Sequence, residues 1–422
     1  MTGQERSEHA RRVAEQAARA SYGRLLSILS ASNRDIPAAE DALSDALLSA
    51  LQSWPETGVP DNPVAWLLTA ARNRRKNEAR ANAVRRAAEP ELLRRLDQTG
   101  DEELETGDRR LSLMFACAHP AIDQAACAPL ILQTILGIDA ARIAQAFLVE
   151  PATMSQRLVR AKARIRDAGL RFSIPSPQTM PERLGAVLDA IYAAFGQAWD
   201  GVETPDNPQS LTGEAIWLAR LIVEQMPDEP EPRGLLALML YCSARQTARR
   251  DAQGRFVPLD QQDARLWDRK QIIEAEGHLT SASRAGRFGR YQCEAAIQSV
   301  HVQRPLTGRL NHAALRSLYD LLVTHSDNIG ARIGRAVATA EAGDPALALA
   351  EMDALAPQRV SKYQPWWVAR SRIATLCGDS SAAAEALLKA IALTTDDAVR
   401  SFLKAQHAQF GQGPATVPEP EG

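Results

Sequence analysis

The side chains best placed to recognise a ligand lie between Ile138 and Ala168, in IDAARIAQAFLVEPATMSQRLVRAKARIRDA. Met154, Leu158, Ala161 and Ile165 are spaced four, three and four, which predicts a helix from about Glu150 with one buried stripe. Its other side carries Thr153, Gln156, Arg157, Arg160 and Arg164. A shorter helix over about Asp139 to Ala146, burying Ile143 and Ala144, precedes it. Phe147, Leu148 and Val149 then turn the chain, and Pro151 occupies the first helical turn of the second element. Two helices in this order make a helix-turn-helix. The start of its second helix reaches base edges while flanking arginines hold phosphates. A solvated charged face gives the same pattern, so the segment needs support from elsewhere in the chain.

A second basic element supplies it. In NPVAWLLTAARNRRKNEARANAVRRA a helix is predicted from Pro63, with Trp66, Leu67 and Ala70 on its apolar face. Its C-terminal half places Arg72, Arg74, Arg75, Lys76, Arg80, Arg85 and Arg86 against the single acid Glu78, although the whole chain has a formal net charge of −2. Charge so local points to a polyanion bound at that place through counterion release. Cations also favour a helix C-terminus, which is the bland explanation. Upstream, PAAEDALSDALLSALQSW reads as an amphipathic helix with Leu43, Ala46, Leu47, Ala50 and Leu51 on one side. Asp41, Ser44, Asp45 and Leu48 lie beside that stripe, and acids flanking leucines are not needed by a core.

The order of these segments resembles a bacterial RNA polymerase sigma factor of the extracytoplasmic-function class. The stretches PDNPVAWLLTAARNR, LMFACAHPAI, IAQAFLVEPATMSQRLVRAKARIRDAG and PERLGAVLDAIY are similar to the subgroup with a long C-terminal, tetratricopeptide-like helical extension. So are MPDEPEPRGLLALML and LWDRKQI within the extension. The resemblance runs from about Tyr22 to about Ala408. It implies that Asp41, Ser44, Asp45 and Leu48 dock on core RNA polymerase. It implies that Arg72, Asn73, Arg74, Lys76 and Arg80 bind and help melt the minus-ten element of promoter DNA. Thr153, Ser155, Gln156, Arg157 and Arg160 then read the minus-thirty-five element. The pattern departs from the family at Ser44, where Gln is frequent, at Asn77, where Asp is frequent, and in FGQAWDG, which stands where relatives read closer to FNEGY. These departures bear on promoter sequence and melting rather than on the assignment.

Length and composition set the remaining bounds. A chain of 422 residues exceeds one hydrophobic core, and the abundance of helix formers without sustained β-branched alternation predicts an all-α protein. The expected parts are 1–87 and 109–172 as the two polymerase- and DNA-binding domains, joined by an acidic linker over 88–108. A proline-bearing joint over 173–180 leads to a helical-hairpin regulatory domain over 181–410 and a disordered tail over 411–422. Within the extension, AEAGDPALALAEMDAL and TLCGDSSAAAEALLKAI place Gly343 and Gly378, and likewise Asp344 and Asp379, 35 residues apart, near a tetratricopeptide period. The N-terminus lacks an apolar signal core and no stretch is long enough to span a membrane, so a cytoplasmic location is expected. Five scattered cysteines do not make a disulfide framework, and Cys117, His119 and Cys127 are spaced poorly for zinc. No phosphate-binding glycine loop or nucleophile elbow is present. No cofactor, metal or catalytic residue is therefore expected. Trp366 and Trp367 beside Tyr363 are candidates for a groove that takes a protein or small-molecule partner. The competing reading is a DNA-binding regulator or helical-repeat scaffold that never enters polymerase.

Overall fold

The computed structural model describes residues 3–31, 34–86, 109–147, 149–200, 211–326, 328–355 and 357–411. The expected acidic linker over 88–108 and all but the first residue of the expected tail lie outside them. Among the described residues there is no β-strand, only an isolated bridge between Arg250 and Phe256. The chain is all-α and forms two compact units, Met1–Gln225 and Met226–Gly422.

The first unit begins with α1 (Gly3–Ala31), α2 (Ile36–Thr57) and α3 (Pro63–Arg86). Asp35 caps α2 by accepting from the Ala38 amide at 3.1 Å, and Gly58, at φ 88°, ends it. Asn62 does the same for α3 through the Ala65 amide at 3.0 Å. Leu25, Leu26 and Leu29 of α1 are buried, as are Leu43, Ala46 and Ala50 of α2 and Leu67, Leu68 and Ala71 of α3. The three helices pack on one another, and Trp54 meets Trp66 edge to face at 5.4 Å. Two details differ from the sequence expectation. Leu51 turns outward, and α3 buries Leu68 and Ala71 while Ala70 stays half-buried. The cause is that each helix faces two neighbours, which rotates the buried stripe away from a single-face pattern.

Next come α4 (Arg110–Cys117), α5 (Gln124–Leu136), α6 (Ala140–Ala146), α7 (Pro151–Asp167), α8 (Met180–Asp200) and α9 (Leu211–Gln225). Helix α5 is apolar all round and takes the centre, packing on α1, α4, α7 and α8. The proline-bearing stretch over 173–180 is a turn inside this unit. Leu184, Val187, Leu188, Ile191 and Phe195 of α8 are buried, and α8 packs on α4 and α5, so the compact division falls two helices later, after Gln225.

The second unit is built on α10 (Pro230–Ser243), whose Leu235 to Tyr241 are all buried between α11 (Arg269–Ser283) and α12 (Arg290–Thr307). A Cβ on Gly234 would lie 2.7 Å from the Gln292 amide nitrogen, so only glycine permits α10 to approach α12 this closely. Helices α13 (His312–His325), α14 (Ile329–Glu341), α15 (Pro345–Asp353), α16 (Pro357–Val360), α17 (Gln364–Leu376), α18 (Ser380–Leu393) and α19 (Asp397–Gly411) follow. The 35-residue echo in the sequence has a structural counterpart. Gly343 and Gly378 both adopt positive φ, 107° and 80°. Asp344 and Asp379 cap the following helices through the Leu347 and Ala382 amides at 3.1 and 2.9 Å.

Candidate nucleic-acid interface

Helices α6 and α7 follow one another as two helices shaped by local causes. Asp139 accepts from the Ala141 and Arg142 amides at 3.0 and 2.9 Å, and Pro151 begins α7. Met154, Leu158, Ala161 and Ile165 are buried against α5 and α6. Thr153, Ser155, Gln156 and Arg160 are exposed. Arg160 Nε donates to its own helix at the Gln156 carbonyl, 3.3 Å away. Arg157 is half-buried and donates to the Ala125 carbonyl at 3.3 Å, so it sits at the flank of the face. The residue that the sequence reading missed is Val159. At 66 % exposure it stands beside Gln156 on the outward side of the helix. Its signal was a branched aliphatic residue off the buried stripe.

On α3 the basic residues divide. Asn73 and Arg74 are exposed, Arg72 and Lys76 half-buried, and the side chain of Arg80 lies outside the described residues. Arg75 instead reaches back to donate to the Leu29 carbonyl of α1, tying α3 to the bundle. Arg74 pairs with Asp45 of α2 at 2.9 Å. The α2 face presents Asp41 and Ser44, with Leu48 and Leu51 at 54 % and 42 % exposure one turn apart. Two exposed leucines edged by acids form a small apolar patch that continues, through the Asp45–Arg74 pair, into the basic side of α3.

Elsewhere the cysteines and histidine once considered for metal make internal contacts. Cys117 is buried with its sulfur 3.4 Å from the Thr134 hydroxyl, and burial pushes its thiol up to about 12. Cys127 donates to the Asp123 carbonyl at 3.5 Å, and His119 Nδ1 accepts from the Ala121 amide at 3.0 Å. In the second unit, Trp366 and Trp367 meet edge to face at 4.5 Å beside a cleft of about 370 Å³. Its charged lining residues are paired, Arg370 with Asp353 and Lys389 with Glu385. Glu231, in the PDEPEPRG stretch, accepts from the amides of Tyr291 and Gln292 at 3.0 and 3.2 Å and from Gln292 Nε2 at 3.1 Å. It caps α12, whose N-cap residue Gly289 has no side chain to do so.

Residues 17–85 match the family model for sigma-70 region 2, and residues 183–283 match a family of unknown function, DUF6596. The uncharacterized protein R00370 of Rhizobium meliloti (strain 1021) is 35 % identical over 398 residues, covering 92 % of this chain and 93 % of that protein. No solved structure matches the chain. Among the described residues, no helix is long and apolar enough to cross a membrane. The chain thus belongs to the same family as the Rhizobium protein, and its sigma-70 region 2, spanning the second half of α1, all of α2 and nearly all of α3, supports a sigma-70 family factor that binds RNA polymerase.

Proposed function

We propose that the chain is a cytoplasmic sigma factor of the extracytoplasmic-function type, which recruits core RNA polymerase to promoters and whose second unit controls or completes that activity. The observation that carries this reading is the adjacency, inside the region 2 match, of the acid-edged leucine face of α2 and the basic side of α3. Asp41, Ser44, Asp45 and Leu48 dock on polymerase. Arg72, Asn73, Arg74, Lys76 and Arg80 hold the melted minus-ten strand electrostatically. The exposed face of α7 then reads the minus-thirty-five element, with Gln156 and Arg160 bonding base edges, Thr153, Ser155 and Arg157 fixing register, and Val159 against a methyl group. The tetratricopeptide-like hairpins of the second unit offer the Trp366–Trp367 cleft to a protein or small-molecule partner.

Run-off transcription with purified bacterial core polymerase on a pool of genomic fragments tests this. Discrete transcript starts sharing two upstream motifs are expected. Retained DNA binding with no stimulation of transcription would leave a DNA-binding regulator that does not enter polymerase. Reversing charge at Asp41 and Asp45 should abolish polymerase binding and spare duplex binding by α7.

A further inference from the structure

The cleft beside Trp366 and Trp367 carries cations on its aromatic side. The Arg370 guanidinium lies 5.2 Å from the centre of the Trp366 ring, and the Lys389 ammonium 4.5 Å from that of Trp367. Both cations have carboxylate partners, Asp353 and Glu385, yet the acids are the more hydrated members. Their side chains are 55 % and 70 % exposed, against 28 % and 48 % for Arg370 and Lys389. Pairs this exposed hold weakly, so an incoming carboxylate exchanges with Asp353 or Glu385 at little cost. Met352, Leu355 and Val360 give the cleft an apolar lining. Trp366 is 7 % exposed and its buried Nε1 has no acceptor among the described residues, a cost that a carbonyl inserted beside it relieves. The occupant that fits is an acidic segment with apolar side chains and unused backbone carbonyls.

The chain carries such a segment. Residues 412–422, QGPATVPEPEG, hold Pro414, Pro418 and Pro420, the acids Glu419 and Glu421, and no Lys or Arg. Proline-rich chain favours the polyproline II form, which makes no internal hydrogen bonds and docks in aromatic-lined grooves. Its starting point is close at hand. Phe410, in the last turn of α19, packs on the Leu387, Ala390 and Leu403 cluster that Trp367 joins from α17. At about 3.1 Å per residue, the eleven residues after Gly411 reach about 34 Å. We propose that residues 414–421 occupy the cleft, with prolines against Trp366 and Trp367 and with Glu419 and Glu421 taking Arg370 and Lys389. This concerns the second unit alone and does not depend on the sigma-factor reading. A short tether holds its segment at roughly millimolar effective concentration, so a contact with a Kd on the order of 100 μM keeps the cleft filled about ten times as often as empty. Any outside partner of the cleft then binds by displacing the chain's own segment.

Fluorescence anisotropy with a labelled synthetic peptide, PATVPEPE, tests this on full-length protein. The wild-type chain and the variant Pro418→Ser/Glu419→Ser/Pro420→Ser/Glu421→Ser are titrated side by side. The variant should bind the peptide about tenfold more tightly than the wild type, whose own segment competes. Adding Lys389→Glu to the variant should weaken binding about tenfold while the helical circular dichroism stays unchanged. Zero-length carbodiimide coupling of the wild-type chain should join Lys389 to Glu419 or Glu421 within one protomer. Equal affinity of wild type and variant, or binding by neither, overturns the proposal. So does coupling of Lys389 to Glu385 alone, or to residues 419 and 421 only in cross-linked dimers. A peptide with Gln in place of both acids that binds as tightly as PATVPEPE overturns the part given to the carboxylates. If Lys389→Glu disturbs the fold, Lys389→Gln and the coupling pattern decide.

Discussion

The two units use polar residues in opposite directions. In the first, Gln156, Arg160, Asn73 and Asp41 stand on exposed helix faces, and the cores beneath them close without their help. In the second, the corresponding motif-like residues turn inward. Glu231 caps α12, Glu276 accepts from the Tyr241 and Ser299 hydroxyls, and the buried Arg245 is held by Gln298 and the Tyr241 carbonyl. A polar residue in a distinctive sequence stretch is thus either a candidate contact or a structural joint, as Arg75 shows within the first unit, and burial separates the cases.

The sharpest break between them is Glu231→Ala. Three hydrogen bonds to one carboxylate are lost and the start of α12 is left uncapped, so stability of the second unit should fall by about 3 kcal/mol in denaturant unfolding. The mirror experiment is Gln156→Ala with Arg160→Ala. Unfolding stability should stay within about 0.5 kcal/mol of wild type, while affinity for the preferred duplex drops about 100-fold in a binding titration. A loss of stability comparable to that of Glu231→Ala would mean that the α7 face is structural.

A pH series probes the inward-turned groups. Burial, together with Arg245, Arg304 and His312, lowers His301 to about 4. The unfolded chain, with an ordinary histidine near 6.5, takes up the proton first, so stability is lost as pH falls through that window. The second unit should lose about 2 kcal/mol between pH 7 and pH 5, and His301→Phe should flatten that dependence. Within the first unit the comparison can be drawn between neighbours. Arg75→Ala cuts the tie to the Leu29 carbonyl and should cost about 1–2 kcal/mol of stability. Arg74→Ala breaks an exposed pair with Asp45, costing under about 0.5 kcal/mol, while lowering the salt dependence of DNA binding by about one phosphate. The smallest expected effect is Val159→Ala, about threefold in DNA affinity, lost when the contacted thymine is replaced by uracil.

The helix pair α6 and α7 was legible because its causes are local. Asp139, Pro151 and a four-three-four apolar spacing act within a few residues of the elements they shape. The 35-residue echo at Gly343 and Gly378 was legible for the same reason, since an Asp cap and a positive-φ glycine mark each hairpin. The outward turn of Leu51 was not, because it depends on α2 lying between two neighbours at once. Nor did counting the arginines of α3 reveal that Arg75 serves the bundle, as the carbonyl that takes it belongs to α1, 46 residues earlier.

Sequence alone therefore determined the all-α class, the starts of α3, α6 and α7 and the residue types carried along those helices, because periodicity, caps and local charge are written in adjacent positions. Tertiary structure alone decided which of those charges remain on the surface. Arg75, Lys162 and Glu231 were drawn inward by partners 46, 122 and 60 residues away, at sites where a buried carbonyl, carboxylate or helix end required a counterpart.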